Sequence, residues 1–441
     1  MGLTERETTG ISEPGRLPER IKSGVRDYVG ELKMFSRNVR LYLSGLFLIW
    51  VNFQIFILLL NLYLKELGYP EGDIGWVNSS RAIGMSLMAL PIAMLINRIR
   101  LKPLLLAGCA LLAVFSFGMS TFSPLFAIMA FSILSGMTLA VFRVAAGPFF
   151  MRNSTPKERT LVFSTSFAVN VLAGMVASAG SGNLVNILTE KLGDPILGYR
   201  YTLYGGIALS FLAFIPLAMI KAADPSAEES PLSFSWSMLK ARRRFYFKVS
   251  FVNFLVGMGA GLIIPFLNLY FQDRFHLGPA TIGWFFFFVT FSMFVGVLVG
   301  PVLTKRFGLV RTVVFTELLS IPFMFILSYS YFLPLAFIAF VMRGGLMNMG
   351  APLVTNFAME LCDKHEQGLV NALLMLTWTS SWMVSTAIGG WMIEAEGYTF
   401  TLNITIVLYV VSALVYFQFF RRAEQRKKNG KGYDLVAERA V

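Results

Sequence analysis

The chain is poor in charge, cysteine and histidine. Charged residues make up 14% of its 441 positions, against about a quarter in an ordinary soluble domain. Its two cysteines, Cys109 and Cys362, stand far apart, which excludes a disulfide framework and a cysteine-based metal site. Its two histidines, His276 and His365, fall between the apolar stretches, so no histidine is placed to carry a proton through one. No Gly-x-x-x-x-Gly-Lys-Ser/Thr run occurs, which excludes that route to nucleotide-driven work. Paired carboxylates, a nucleophile with its base, and a cluster of metal ligands are likewise missing. The expectation is therefore no enzyme, no metal and no cofactor. The first forty residues are polar and basic and lack the apolar core of a cleavable signal.

Apolar residues are what the chain has. They make up 56% of it, with 42 phenylalanines and 22 methionines, and the mean hydropathy is +0.64. A helix needs about 20 apolar residues to cross a bilayer core. Twelve stretches qualify, with approximate limits 41–64, 74–97, 103–123, 125–150, 160–187, 199–220, 247–271, 281–303, 311–331, 333–359, 368–393 and 398–420. Between the sixth and seventh lies Ala222-Ala223-Asp224-Pro225-Ser226-Ala227-Glu228-Glu229-Ser230-Pro231, which has linker chemistry.

The net charge is +13, but its distribution points to a membrane and not to nucleic acid. Alternating the twelve spans puts 31 of the 38 lysines and arginines on the side of both termini and 4 on the other, with Arg81, Arg143 and Arg343 left inside spans. Positive residues stay in the cytoplasm, so both termini are expected there, in a multi-pass protein of the plasma (inner) membrane. Residues 16–40 place Leu17, Ile21, Val25, Val29 and Leu32 at helical spacing among basic residues, as in a helix lying on the membrane surface. The expected division is 1–40 a basic cytoplasmic segment, 41–220 a six-helix bundle, 221–246 a cytoplasmic loop, 247–420 a second six-helix bundle and 421–441 a basic cytoplasmic tail.

The two halves echo each other. Asn61-Leu62-Tyr63 followed by Ile74-Gly75-Trp76 returns as Asn268-Leu269-Tyr270 followed by Ile282-Gly283-Trp284. Gly198-Tyr199-Arg200-Tyr201-Thr202-Leu203 returns as Gly397-Tyr398-Thr399-Phe400-Thr401-Leu402. A shift of about 208 residues relates most of the halves, falling to 199 after the eleventh span. Repeated membrane bundles are the layout of secondary transporters.

Two short loops sharpen this. After the second span comes Ala93-Met94-Leu95-Ile96-Asn97-Arg98-Ile99-Arg100-Leu101-Lys102, and after the eighth Pro301-Val302-Leu303-Thr304-Lys305-Arg306-Phe307-Gly308-Leu309-Val310-Arg311. Together with six plus six helices and a long central loop, they resemble the major facilitator superfamily, whose corresponding loop reads G-x-x-x-D-R-x-G-R-K. Arg98, Arg306 and Gly308 match, while Asn97 and Lys305 stand where that family has an acid. The resemblance covers about residues 38–422. It implies an all-α fold of twelve transmembrane helices in two pseudo-symmetric bundles, a central cavity lined by the first, fourth, seventh and tenth spans, and close contact of the fifth and eighth. It implies a gating role for Asn97, Arg98, Lys305, Arg306 and Gly308. Plain positive-inside anchoring accounts for the arginines equally well. The Gly-Pro-x-x-Gly-Gly run of antiporters and the sugar-porter signatures do not occur, so no subfamily is implied.

A charge within a span is costly and marks a candidate site. Arg343 lies near the middle of the tenth span and Arg143 in the fourth, both on cavity helices by resemblance. A guanidinium suits a carboxylate or phosphate, though a structural pairing is the alternative. Asn52, Gln54, Asn253 and Asn348 are neutral candidates for orienting a solute, with hydrogen bonding between helices as the alternative. Substrate binding is assigned to Arg343, Asn52, Gln54, Arg143, Asn253 and Asn348. Glu317, in the ninth span, is the candidate for a coupling proton. Small residues recur at Gly174, Ser178 and Gly182, at Gly257 and Gly261, and at Gly296 and Gly300, where helices can approach closely.

These residues describe a secondary active transporter that moves a small amphipathic or anionic organic solute by alternating access. The adaptable methionines lean towards efflux. An importer of an organic anion such as a phosphate ester or carboxylate is one alternative, and a non-transporting sensor or lipid scramblase on the same scaffold is another. The expected partners are the solute, a coupling proton or sodium ion and the bilayer, with the protein a monomer and no nucleic acid involved.

Overall fold

The computed structural model describes residues 35–96, 99–155, 158–221, 240, 242–362 and 366–428. The expected surface helix before residue 35, most of the central loop, Asn97 and Arg98, and the tail beyond residue 428 lie outside the described residues.

The described residues form helices and no strand. In chain order they are α1 (Arg37–Glu66), α2 (Glu71–Leu95), α3 (Leu101–Thr121), α4 (Leu125–Asn153), α5 (Arg159–Leu192), α6 (Pro195–Ala218), α7 (Arg243–Ile263), α8 (Leu267–Phe275), α9 (Pro279–Phe307), α10 (Leu309–Tyr329), α11 (Leu333–Glu360) and α12 (Gln367–Lys428). Local chemistry sets the boundaries. The Ser36 hydroxyl accepts from the Val39 amide at 3.3 Å to start α1. Asp194 Oδ1 accepts from Ile196 N at 2.8 Å to start α6. Pro265 has no amide hydrogen, and at that point a 3-10 turn, Ile264–Phe266, parts α7 from α8. The expected single span 247–271 is thus two helical pieces.

Ten helical stretches among the described residues are long and apolar enough to cross a membrane. One of them, Leu369–Gln425, has 57 residues, or about 85 Å of helix at 1.5 Å per residue, nearly three bilayer cores in length. It bends at Gly397, whose φ of 82° and ψ of 174° leave the helical region. That conformation is open to glycine and strained for other residues, so α12 holds two expected spans. The α2 helix is long enough but carries the polar run Asn78-Ser79-Ser80-Arg81, and it falls outside the ten.

The halves pack along two seams. At one, α2 lies on the first part of α12, where Gly75 and Gly390 face each other backbone to backbone. At the other, α5 lies on α9, where Gly182 meets the Pro279 carbonyl and Gly283 meets the Ser178 carbonyl. The remaining small-residue rows lie elsewhere. Gly296 and Gly300 face Gly345 and Met349 of α11, and Gly257 and Gly261 face Ser381 and Ser385 of α12. These rows tighten the second bundle internally.

Candidate functional site

The repeated Asn-Leu-Tyr sequence is where the halves are fastened. Asn61 Nδ2 donates to the Pro265 carbonyl at 2.6 Å, and Asn268 Nδ2 donates to the Leu58 carbonyl at 2.7 Å. Asn78 fixes the Asn61 amide by donating to its Oδ1 at 2.9 Å. The repeated tyrosines behave alike. Tyr63 Oη donates to the Ser120 carbonyl at 3.0 Å, and Tyr270 Oη donates to the Leu327 carbonyl at 2.6 Å. Around this clasp the Gly72 amide donates to Glu394 Oε2 at 3.0 Å, Gln272 donates to Glu66 at 3.3 Å, and Ser79 donates to the Met383 carbonyl. These bonds between halves gather towards the Glu66 end of α1.

The six candidate binding residues do not converge on one place. Arg343 is 4% exposed. Its Nη2 donates to Tyr409 Oη at 2.8 Å, which turns the guanidinium into the second bundle, towards the last part of α12. Glu317 of α10 is buried in the same region, and its Oε1 has no protein hydrogen-bond partner. Asn253 donates to the Leu374 carbonyl at 2.8 Å and to Thr377 Oγ1 at 2.9 Å, which ties α7 to α12. Asn348 donates to the carbonyl of Gly344, one turn back in its own helix, at 2.9 Å. Asn52 is buried and turned into the first bundle, against Gly206 of α6.

Gln54 and Arg143 lie differently. The Gln54 amide rests at Gly174 of α5, beside Thr290 of α9, where the halves meet. One turn away on α1 is Trp50, and the Arg143 guanidinium carbon lies 5.7 Å from its ring centroid, within cation–π range. Arg143 is exposed, whereas Arg81 and Arg343 are buried. Arg143 keeps uncovered surface well inside a helix of 29 residues, although the surrounding protein largely desolvates it, and a charge at such a place is costly and marks a candidate site. Gln54 and Thr290 thus come together where the halves meet, and Trp50 with Arg143 lies one turn along α1 within the first half.

Of the gating candidates, Lys305 and Arg306 are exposed at the end of α9. Gly308 has φ 91° and links α9 to α10. Its carbonyl accepts from Thr312 Oγ1 at 2.6 Å. The amides of Leu309 and Val310, at the start of α10, donate to Glu424 Oε1, the second at 3.2 Å. An acid from the end of α12 thus caps this helix, beside the position where Lys305 replaces the family's acid. Sequence reasoning missed Glu424. It also missed a buried cluster at the same end, in which Arg242 pairs with Glu366 and donates to the Leu361 carbonyl at 2.9 Å, and Tyr246 donates to Glu366 at 3.0 Å. Both acids lie at helix ends, where a charge ordinarily reads as solvated.

The comparisons agree with this architecture. A curated relative from Yersinia pestis, described as an uncharacterized MFS-type transporter, is 24% identical over 211 residues, 48% of this chain and 52% of its own length. The chain thus matches about half the length of the curated relatives. Among solved structures, a bacterial homologue of the human lysosomal transporter Spinster, inward-facing and occupied, is similar with a TM-score of 0.73 at 14% identity, covering 87% of this chain and 96% of its own. The nucleoside transporter NupG gives 0.67 at 15% identity, covering 88% and 98%. A bacterial homologue of the iron transporter ferroportin, inward-facing, gives 0.69 at 13% identity, covering 87% and 98%. The family model described as Major Facilitator Superfamily matches residues 42–254 and again 249–438, and the chain is a multi-pass membrane protein of that superfamily.

Proposed function

We propose that this protein is a secondary transporter that moves a small organic solute bearing an anionic group by alternating access. The observation that carries the reading is Arg143, an arginine with uncovered surface over Trp50, one turn along α1 from the Gln54 that meets Thr290 of the other half. In this reading α2 supplies the twelfth crossing, both termini lie in the cytoplasm, and the protein acts as a monomer in the plasma (inner) membrane. The fastened end is the outside, so the molecule faces inward. Arg143 meets the anionic group, Gln54 orients the solute by hydrogen bonding, and Trp50 covers its apolar part. Arg343 holds the second bundle through Tyr409 and acts on the solute indirectly. Asn52, Asn253 and Asn348 shape the walls. Lys305, Arg306 and Gly308 serve the inner gate together with Glu424, as do Asn97 and Arg98.

Glu317 is the proposed proton carrier, because it is a buried carboxylate with an oxygen that no protein group occupies. The methionine-rich composition favours export of several compounds over import of one. Purified protein in liposomes tests the reading. Solute flux driven by an imposed pH or sodium gradient, and lost with Arg143→Ala, supports it. Lipid flipping without solute flux overturns it in favour of a scramblase.

A further inference from the structure

We propose that the interior of the first bundle binds a small monovalent anion of the chloride type at Arg81. This site is separate from the solute-binding group around Arg143.

Arg81 lies well inside α2 and is 8% exposed. Its Nε and Nη2 have no protein acceptor. No carboxylate pairs with it among the described residues. The acids of the described first half, Glu66, Glu71, Asp73, Glu158, Glu190 and Asp194, all sit at helix ends. Beside Arg81 is a cavity with room for about one water molecule. Asn52, Ser116 and Ser135 contribute its polar lining, and Phe53 and Phe56 part of its apolar wall.

The second half shows what this arrangement lacks. A shift of about 208 residues sets Val289 opposite Arg81, Arg343 opposite Ser135 and Glu317 opposite Cys109. The later shift of 199 sets Tyr409 opposite Ser210. The second bundle therefore encloses an arginine together with a carboxylate and a phenol, and Arg343 bonds the phenol at 2.8 Å. The first bundle encloses an arginine together with a thiol and serines, and Cys109 bonds the Ser210 carbonyl at 2.8 Å. The second bundle buries a carboxylate as well as an arginine, whereas the described part of the first buries Arg81 and no carboxylate. An uncompensated buried cation is strongly disfavoured.

A halide-sized anion fits this gap. It accepts from the guanidinium fork and from hydroxyl or amide hydrogens and supplies the missing charge. The cavity is too small for a carboxylate-bearing solute or a phosphate ester. A water molecule fits by size but leaves the charge unbalanced.

The test is thermal unfolding of the purified full-length protein in sodium chloride against sodium gluconate at equal ionic strength. Chloride is expected to raise the wild-type midpoint saturably by several degrees, as a ligand of the folded state does, and bromide is expected to replace it. Arg81→Gln abolishes the difference, and Arg143→Ala keeps it. Equal wild-type midpoints in the two salts overturn the proposal, as does a chloride response that survives Arg81→Gln or is lost with Arg143→Ala. Should Arg81→Gln not fold, wild-type crystals grown in bromide decide the question. An anomalous peak in contact with Arg81 supports the site, and its absence there overturns it. The readout is stability and not flux, so failure here is distinct from failure of the transport reading.

Discussion

Asn61 and Asn268 hold the two halves together reciprocally. Each donates to the carbonyl three residues before the other, Asn61 to Pro265 and Asn268 to Leu58. This is the two-fold relation expected when duplicated helices meet across a pseudo-symmetry axis. Such bonds between membrane helices are worth modest energies that a conformational change can overcome.

Removing either amide should therefore loosen the fastened end without unfolding the protein. A hydrogen bond of this kind contributes about 1 kcal/mol net, or about a fivefold change in a population ratio. Asn61→Ala or Asn268→Ala should shift the distance distribution between spin labels at this end towards longer values. The double variant should shift it further. Unchanged distributions in both single variants would show that the clasp does not set the equilibrium.

Arg143 and Arg343 should part company on mutation. Arg143→Ala is expected to remove most transport of an anionic solute while leaving the unfolding temperature close to wild type, since among the described residues it holds Trp50 by a ring contact and not by a hydrogen bond. Arg343→Ala takes the donor from the buried Tyr409 hydroxyl and is expected to cost about 1–3 kcal/mol of stability for the group left unsatisfied. Solute flux in liposomes and thermal unfolding, measured on both variants, separate the two roles. A severe flux defect in a fully stable Arg343→Ala would return that residue to the substrate path.

The pairing of Arg242 with Glu366 should be structural. Both side chains are almost fully buried, 7% and 5% exposed, and removing one partner strands the other's charge at a cost of about 3–5 kcal/mol. Glu366→Gln should therefore lower the unfolding midpoint markedly. The combined Arg242→Met and Glu366→Leu variant should lower it by less than the single change, because no buried charge remains. A double variant less stable than Glu366→Gln would mean that the pair contributes more than its own charge balance.

The all-helical membrane fold was legible because length and apolarity are properties of the chain itself. The facing of single residues was not. The span carrying Arg343 is apolar nearly all round, so periodicity does not say which side meets the cavity and which meets Tyr409. The Asn-Leu-Tyr repeat was visible, but its reciprocal bonding depends on how the two copies meet in space. Glu366 and Glu424 stand at helix ends, and only the folded chain brings them to Arg242 and to the start of α10.

The seam between α5 and α9 yields a sharper test of movement, because two glycines two residues apart face different surroundings. A side chain at Gly182 would run into the Pro279 backbone of the other half, whereas Gly180 has nothing within 4 Å. Both lie in the same helix, so both substitutions change helix propensity alike. Gly180→Ala is expected to leave flux intact and to raise stability slightly, by about 0.4–1 kcal/mol. Gly182→Ala is expected to hold the halves apart at this seam and stop turnover, with the protein still folded and a cysteine placed on Ser178, which the seam buries, more open to a membrane-impermeant thiol reagent. Equal flux in the two variants would show that the seam has room to spare. In that case the close approach of α5 and α9 is packing without a part in the transport cycle.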